Sequence, residues 1–408
     1  MTSPTSRQAS ITINSSALTH NLSQVRRHAP DAKVLAMVKA SAYGHGVAHC
    51  LPALQDADAV GVATFDEAIE VRQLGWDKPI VMIEGVFSER EWQQAIKWEL
   101  TCVIQQQQQV TWALAHQPTN TDATNDTNAS LPSIPAHPSQ TVWLKLNSGM
   151  SRLGFNADEI LCVAQQLHDA GYHLVLTSHF ANADLIDHPL NQQQIDTFNS
   201  VLTQLRTKVS STVEASLCNS AAIINFPECH YNWVRPGIML YGSSPFETVS
   251  ATKLNLRPVM TFSTALMAVH DLDAGEVVGY GSRFTAAQPM KKGIISIGYG
   301  DGYPRVVSEA AWVSLYQDGH YYPCPILGRV AMDMVAIDLS AVPSPKLGSQ
   351  VILWGHPMGL DQPSESVDGK GSQVPSVDDV AAWANTLGYE LLCRITQRPK
   401  RNVVSETS

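Results

Sequence analysis

Short apolar runs alternate with longer segments of helical spacing from residue 11 to residue 255. The runs are rich in Val, Ile and Leu: "VLAMVKA" from 34, "AVGVAT" from 59, "PIVMIEG" from 79, "CVIQ" from 102, "VWLKLNSG" from 142, "LVLTSHF" from 174, "VEASLCNS" from 213 and "VRPGIMLYG" from 234. Unbroken apolar runs of this length mark strands buried on both faces, as in parallel sheets. Between them lie segments such as "SEREWQQAIKWEL" and "LNQQQIDTFNSVLTQLRTKV". Thr64 with Glu67, and Ser88 with Glu91, have the spacing of a capping box at a helix start. Strands alternating with helices in this number predict a closed (β/α)8 barrel of TIM type. An open doubly wound sheet needs a Gly-rich first loop, and no Gly-x-Gly-x-x-Gly follows the first run.

After residue 256 the period changes. "VMTFSTALMAVHDLDAGEVVGYGSRF", "GIISIGYGDGYPR" and "WVSLYQDGHYYPCPILGRVAMDMVAIDL" alternate apolar and polar residues, punctuated by Ala-Gly and Asp-Gly turns. That pattern predicts a mostly antiparallel β domain. It is followed by a polar break at 357–375 and one short helix, "SVDDVAAWANTL", capped by Ser376 and ended by Gly388. The division expected is a flexible N-terminus at 1–10, the barrel at 11–255 and the β domain at 256–408. Residues 117–140, rich in Thr, Asn, Pro and Ser, read as a surface insertion, and "QRPKRNVVSETS" reads as a loose tail.

Composition narrows the classes. Apolar residues make up 44% of the 408 and charged residues 16%, which suits a well-packed globular protein. A net charge of −10 argues against general nucleic-acid binding. The sequence has no apolar run of the ~20 residues a membrane helix needs, and its polar start lacks the apolar centre of a signal peptide. The 7 cysteines form no Cys-x-x-Cys pair, and no His-Glu-x-x-His or clustered Cys/His pattern supports a metal. Reduced thiols and a cytoplasmic location are the expectation.

Chemistry collects where the barrel strands end, the rim at which such barrels carry function. Lys39 ends the first run; Lys145 and Arg152 lie in "KLNSGMSRLG"; His179 ends the sixth; Ser220 follows the seventh; Arg235 and Gly237 open the eighth. An amine set in an apolar wall is nucleophilic at neutral pH and suited to condense with an aldehyde. The aldehyde is either a sugar phosphate or a bound cofactor such as pyridoxal phosphate. Small residues at Ser220 and Gly237 let backbone amides approach a phosphate, and Tyr43 is placed to donate to the same group.

"AMVKASAYGHG", at 36–46, resembles the cofactor-lysine signature of the alanine racemase family. "KLNSGMSRLG", "SHFANAD", "CNSAA", "VRPGIMLYG", "VGYGSRF", "GYGDGYPR", "GRVAMDM" and "GYELLCRI" follow in that family's order. The resemblance implies pyridoxal 5'-phosphate as cofactor and a homodimer with shared active sites. It implies Lys39 as the lysine that binds the cofactor covalently and serves as one base, with Tyr280 as the other. Arg235 is implied at the pyridine nitrogen, Arg152 at the cofactor's phenolic oxygen and the substrate carboxylate, and His179 as a link between Tyr280 and Arg235. Tyr43, Ser220, Gly237, Ile238 and Tyr389 are implied at the phosphate, and Met332 at the substrate carboxylate through its amide. Asp184, Tyr299, Arg305 and Arg329 are implied along the entry channel, and Lys145 as a residue often carbamylated. The chain departs at Ala331, where many relatives have cysteine, at Ser216, where some have an entry-channel histidine, and at Asn147 and Ser148.

Two bases on opposite faces of a substrate remove a Cα proton from one side and return one to the other. Free lysine and tyrosine have pKa values of about 10.4 and 10, so each needs its environment to act near pH 7. Arginine at the pyridine nitrogen gives that atom no proton, which points to racemisation; a decarboxylase or transaminase prefers an acid there. The expected function is therefore interconversion of L- and D-alanine, for peptidoglycan or for catabolism. The alternatives are a broad-specificity racemase, a pyridoxal-dependent decarboxylase and a pyridoxal-phosphate carrier. The decarboxylases usually carry a Gly-Gly-Gly loop and a Cys-Asp motif, both missing from this sequence.

Overall fold

The computed structural model describes residues 8–117, 141–356 and 374–405. The proposed insertion at 117–140, apart from Gln117, falls outside these residues, as does most of the 357–375 break. The chain divides into two compact units. One holds Leu22–Ala42 and Leu54–Leu240; the other holds the residues up to Asn21, Tyr43–Ala53 and those from Tyr241 onward.

The first unit is a closed barrel of eight parallel strands: β2 (Lys33–Met37), β3 (Ala59–Val62), β4 (Ile80–Met82), β5 (Thr101–Ile104), β6 (Thr141–Lys145), β7 (His173–Thr177), β8 (Glu214–Ser216) and β9 (Trp233–Val234). Each overlaps one of the eight apolar runs, five of them starting one residue earlier. β9 closes the barrel on β2 through Lys33↔Trp233 and Val34↔Val234. It is much shorter than the run "VRPGIMLYG" suggested, because Pro236 has no N–H to continue a ladder and the chain turns into a 3-10 helix at Ile238–Tyr241. Val34, Leu35, Ala36, Val60, Val62, Ile80 and Met82 are buried, as a two-faced parallel sheet requires.

The second unit is built on an eight-stranded sheet. Its strands are β1 (Ser10–Asn14), β10 (Met260–Leu272), β13 (Met290–Ile295), β14 (Trp312–Gln317), β15 (His320–Leu327), β16 (Val335–Asp338), β17 (Gln350–Trp354) and β18 (Lys400–Val404), in the order β13-β16-β15-β14-β17-β10-β1-β18. A separate ribbon pairs β11 (Val277–Val278) with β12 (Phe284–Thr285). Two segments fall differently from the sequence reading. Ser10–Asn14, assigned to the N-terminus and barrel, pairs antiparallel with β10, burying Ile11 and Ile13. The tail is not loose either: Lys400–Val404 runs parallel to β1, Ser10 opposite Lys400 and Asn14 opposite Val404. The late helix Val377–Trp383 has its Ser376–Asp379 capping box, but Asn385, at φ 54°, follows it in the left-handed region, and Gly388 opens the next helix, Gly388–Cys393. Among the described residues no helix is long and apolar enough to cross a membrane.

Candidate active site

Lys39 stands directly beyond β2, at the start of an unusual turn. Ala40, Ser41, Ala42 and Tyr43 have φ values of 52, 52, 54 and 52°, and ψ near 50° where given, so the chain winds one turn of left-handed helix. No glycine eases it until Gly44, at φ 80°. At roughly 1–2 kcal/mol per residue the turn costs about 4–8 kcal/mol. It is held by the Ala42 amide donating to the Val38 carbonyl at 2.7 Å and by burial of Ala42 and Tyr43. Such strain persists only where its surroundings over-determine it, and it concentrates at functional sites.

Around the same rim the barrel gathers several positively charged side chains. His179 is held well below the usual histidine range, first by burial and then by the charges of Arg235, Lys145, Arg152 and Lys39. The Lys145 amine is likewise held well below the ordinary lysine value by burial and by Arg235 and Arg152. Lys145, Arg152 and His179 line one small hollow with Asn147, Ser148 and Ser178. Asn147 Oδ1 accepts from the amides of Gly149 and Ser151, which sets the loop carrying Arg152. Ser148 and Ser178 hydroxyls lie 2.7 Å apart, and Gln194 donates to Ser148 and to the His179 carbonyl.

Arg235 is buried among neutral partners only. It donates to Thr177 Oγ1 (3.2 Å), Ser216 Oγ (2.6 Å) and the carbonyls of Ser178 (2.6 Å) and Leu217 (3.1 Å), and its Nη2 lies 3.4 Å from His179 Nδ1. Burial lowers its pKa to about 10, so it stays a cation at neutral pH. Ser216, read from the sequence as standing at a channel position, is fully buried in the barrel wall and holds Arg235. Because Nδ1 of neutral His179 faces an arginine donor, the ring proton sits on Nε2. A free histidine takes a proton below about pH 6.5 and His179 in the fold does not, so the unfolded chain binds more protons there and stability falls as pH falls. His179→Asn should remove a loss of up to about 1.4 kcal/mol per pH unit in that range, read as a smaller drop in melting temperature between pH 7 and pH 5.

This donor set fits pyridoxal phosphate. A buried cation with no carboxylate partner among the described residues is costly until an anionic or electron-rich group meets it. Ser220 Oγ accepts from the amides of Gly237 (2.9 Å) and Met239 (3.5 Å), leaving its own proton to donate outward. The Gly237 amide, expected at the phosphate, donates to Ser220 Oγ in this structure. Ile238, buried, follows. Asp184 lies exposed on the loop after β7.

The second unit carries the remaining candidates. Tyr43 is buried, its ring stacked on Tyr241 at 4.8 Å and tilted to Tyr389 at 6.2 Å. Burial raises its phenol far above the usual value, so it remains a donor at neutral pH. A Cβ at Gly44 would sit 2.0 Å from the Leu392 carbonyl, so only glycine lets the chain pass here. Tyr280 lies between β11 and β12 with Gly279 and Gly281 at φ 71 and 72°, and it is 72% exposed. Arg329 packs beside it: its guanidinium would lie 3.1 Å from a Cβ at Gly281. The loops "GYGDGYPR" and "GRVAMDM" dock backbone to backbone, with Tyr299 and Gly300 amides donating to the carbonyls of Ala331 and Met332. Arg398 joins buried Asp301 to Asp333 below them. Met332 and Arg305 are exposed.

Sequence reasoning missed the holding role of Ser216, Thr177 and Ser178 around Arg235, and of Glu67, whose carboxylate accepts from the amides of Ala40 and Ala63, each at 2.7 Å. The expected box at Thr64 is half made, since Thr64 accepts from the Glu67 amide but Glu67 reaches past the cap to Ala63. Ser88 and Glu91 do the same, with Glu91 accepting from Phe87.

Comparison with known proteins gives a consistent result. Residues 13–245 match the family model described as alanine racemase, N-terminal domain, and residues 259–403 match alanine racemase, C-terminal domain. The chain is 59% identical over 402 residues to an alanine racemase of Psychrobacter sp. (strain PRwf-1), covering 98% of this chain and all of that one. It is 39% identical to one from Legionella pneumophila (strain Lens), over 96% of this chain and 99% of that one. Among solved structures, an alanine racemase from Acinetobacter baumannii superposes with a TM-score of 0.83 at 45% identity, covering 98% of this chain and all of that one.

Proposed function

The chain belongs to the alanine racemase family, and from that premise we propose that it interconverts L- and D-alanine with pyridoxal phosphate between two bases, Lys39 and Tyr280. It is an isomerase, a racemase of amino acids. Pyridoxal phosphate, when bound, draws electrons from the substrate Cα and makes its proton acidic enough to move.

Lys39 holds that group covalently and takes or returns the proton on one face. The strained turn behind it fixes where its side chain starts. Tyr280 takes the other face. Its exposure supports a homodimer in which the tyrosine of one copy serves the lysine of the other, because so large an aromatic surface suits a covered position. His179 is the link proposed between Tyr280 and Arg235, its Nδ1 lying 3.4 Å from Arg235 Nη2. Arg235 faces the pyridine nitrogen and keeps its own proton. Arg152 and the Met332 amide hold the substrate carboxylate. Tyr43, Tyr389, Ser220, Gly237 and Ile238 hold the phosphate, and Asp184, Tyr299, Arg305 and Arg329 line the approach. Lys145, its amine held well below the ordinary lysine value by burial and two nearby guanidinium groups, suits reaction with carbon dioxide to an anionic carbamate that offsets the charge of Arg152.

The observation that carries this reading is buried Arg235, a cation surrounded by neutral partners. Arg235→Glu puts an acid against the ring nitrogen and should slow racemisation while raising release of the keto acid from alanine, read in a coupled assay. An unchanged racemisation rate counts against the assignment. The function itself is tested by a chiral assay of the pyridoxal-phosphate-loaded protein over several amino acids, with alanine expected to react fastest and serine slowly. A pocket distinguishes one small group by only about 1–3 kcal/mol, so some leakage is expected. The physiological reading is supply of D-alanine for peptidoglycan in the cytoplasm. It is supported by similarity to a structure titled biosynthetic alanine racemase from Pseudomonas aeruginosa, at 37% identity over 98% of this chain and 99% of that one, with a TM-score of 0.81.

A further inference from the structure

The hydrogen bonds beneath Lys39 follow a swap. β2 and β3 run parallel with Met37 opposite Gly61, and the Val38 amide donates to the Gly61 carbonyl at 2.8 Å. Continued in register, a parallel ladder sends the Ala63 amide to the Val38 carbonyl and the Ala40 amide to the Ala63 carbonyl. Neither bond is made. The left-handed turn brings the Ala42 amide onto the Val38 carbonyl instead, at 2.7 Å. Two backbone donors are thereby displaced at the rim, and each needs an acceptor. Both find it in one side chain: Glu67 Oε1 accepts from Ala40 and Oε2 from Ala63, each at 2.7 Å. These are short, charge-assisted bonds. Glu67 sits in the first turn of the helix Phe65–Gln73, where Thr64 caps its own amide and a carboxylate suits the helix dipole. Its carboxylate thus forms the last rung of the β2–β3 ladder.

We propose that Glu67 is a positioning residue for the racemisation: it fixes the peptide that follows Lys39, and so the direction in which the lysine side chain leaves the barrel. The Val38 amide secures one side of the Lys39 Cα and the Ala40 amide the other. This rests on the reading of Lys39 as the cofactor-holding base.

The test compares Glu67→Ala, Glu67→Gln and Lys39→Ala, each loaded with pyridoxal phosphate. Three readouts are taken: steady-state constants for alanine, borohydride trapping of the cofactor on the peptide holding residue 39, and hydrogen exchange of the segments holding Ala40 and Ala63. Glu67→Ala should lower kcat about 10- to 100-fold with KM within about threefold, as expected of a misplaced reacting group. It should still trap cofactor at Lys39, and exchange should quicken at those two segments before any other. Glu67→Gln, which keeps one acceptor oxygen, should fall between Glu67→Ala and the parent, and it carries the test if Glu67→Ala does not fold. The inference is overturned if kcat in the folded variant stays within twofold of the parent, or if exchange quickens equally throughout the chain. Trapping that survives in Lys39→Ala would instead overturn the reading of Lys39.

Discussion

Lys39→Ala should lower kcat/KM for alanine by about 10⁴-fold or more. The lysine is asked to do two things, and the substitution removes both. As a base it is worth about 10²–10⁴-fold by itself. As the group that holds the cofactor in a fixed pose, it also spares the entropy of placing a free aldehyde against the substrate. Lys39→Arg should be almost as damaging, because guanidinium stays protonated and offers no free amine. A small primary amine added to Lys39→Ala should restore a minor part of the rate, since it supplies a base without the tether. Retention of activity within tenfold of the parent would remove Lys39 from the mechanism.

The second large effect belongs to Tyr280→Phe, which should cost about 10²–10⁴-fold in kcat by deleting the proton carrier on one face. The loss should be directional when read with deuterated substrate: one enantiomer loses its proton to Lys39 and the other to Tyr280. Mixing two inactive variants tests where the phenol acts. If sites are shared in a two-fold dimer, a hybrid of one Lys39→Ala copy and one Tyr280→Phe copy contains one intact site and one doubly damaged site. Random exchange in an equal mixture should then recover about a quarter of the parent activity. No recovery after subunit exchange, verified by tagged copies, would place lysine and tyrosine of one site in the same chain.

The barrel was legible because its strands are buried on both faces. A continuous run such as "VLAMV" or "IVM" admits few other readings when eight recur between helical segments. β1 was harder to place, because "SITIN" pairs with residues some 250 positions later, and alternation alone names no partner. β18 was obscured by its basic, polar composition, since most of its residues are exposed and the pairing is made by backbone. At the site, Lys39, Lys145, Arg152, His179 and Arg235 stood out as polar residues at barrel-strand ends, whereas Tyr280, Tyr389 and Met332 entered only through the family resemblance. The groups that hold the strand-end residues did not stand out. Ser216 and Thr177 look ordinary in a list of residues and matter only because Arg235 reaches them. The left-handed turn leaves no mark at all: "ASAY" contains no glycine, and residue type is the signal by which such backbone is normally foreseen. Glu67 was noticed for the wrong contact, as half of a capping box, when its carboxylate instead closes the displaced ladder.

The parallel pairing of Ser10–Asn14 with Lys400–Val404 has a consequence for biosynthesis. The barrel unit is fully translated once Leu240 has been added, and it can begin to fold while the ribosome is still at work. Ser10–Asn14 must wait for a partner 390 residues further along the chain. At roughly 5–20 residues per second that delay is on the order of tens of seconds. Throughout it, the edge of Ser10–Asn14 lacks its final neighbour, an interval in which a chaperone or a neighbouring nascent chain has its opening.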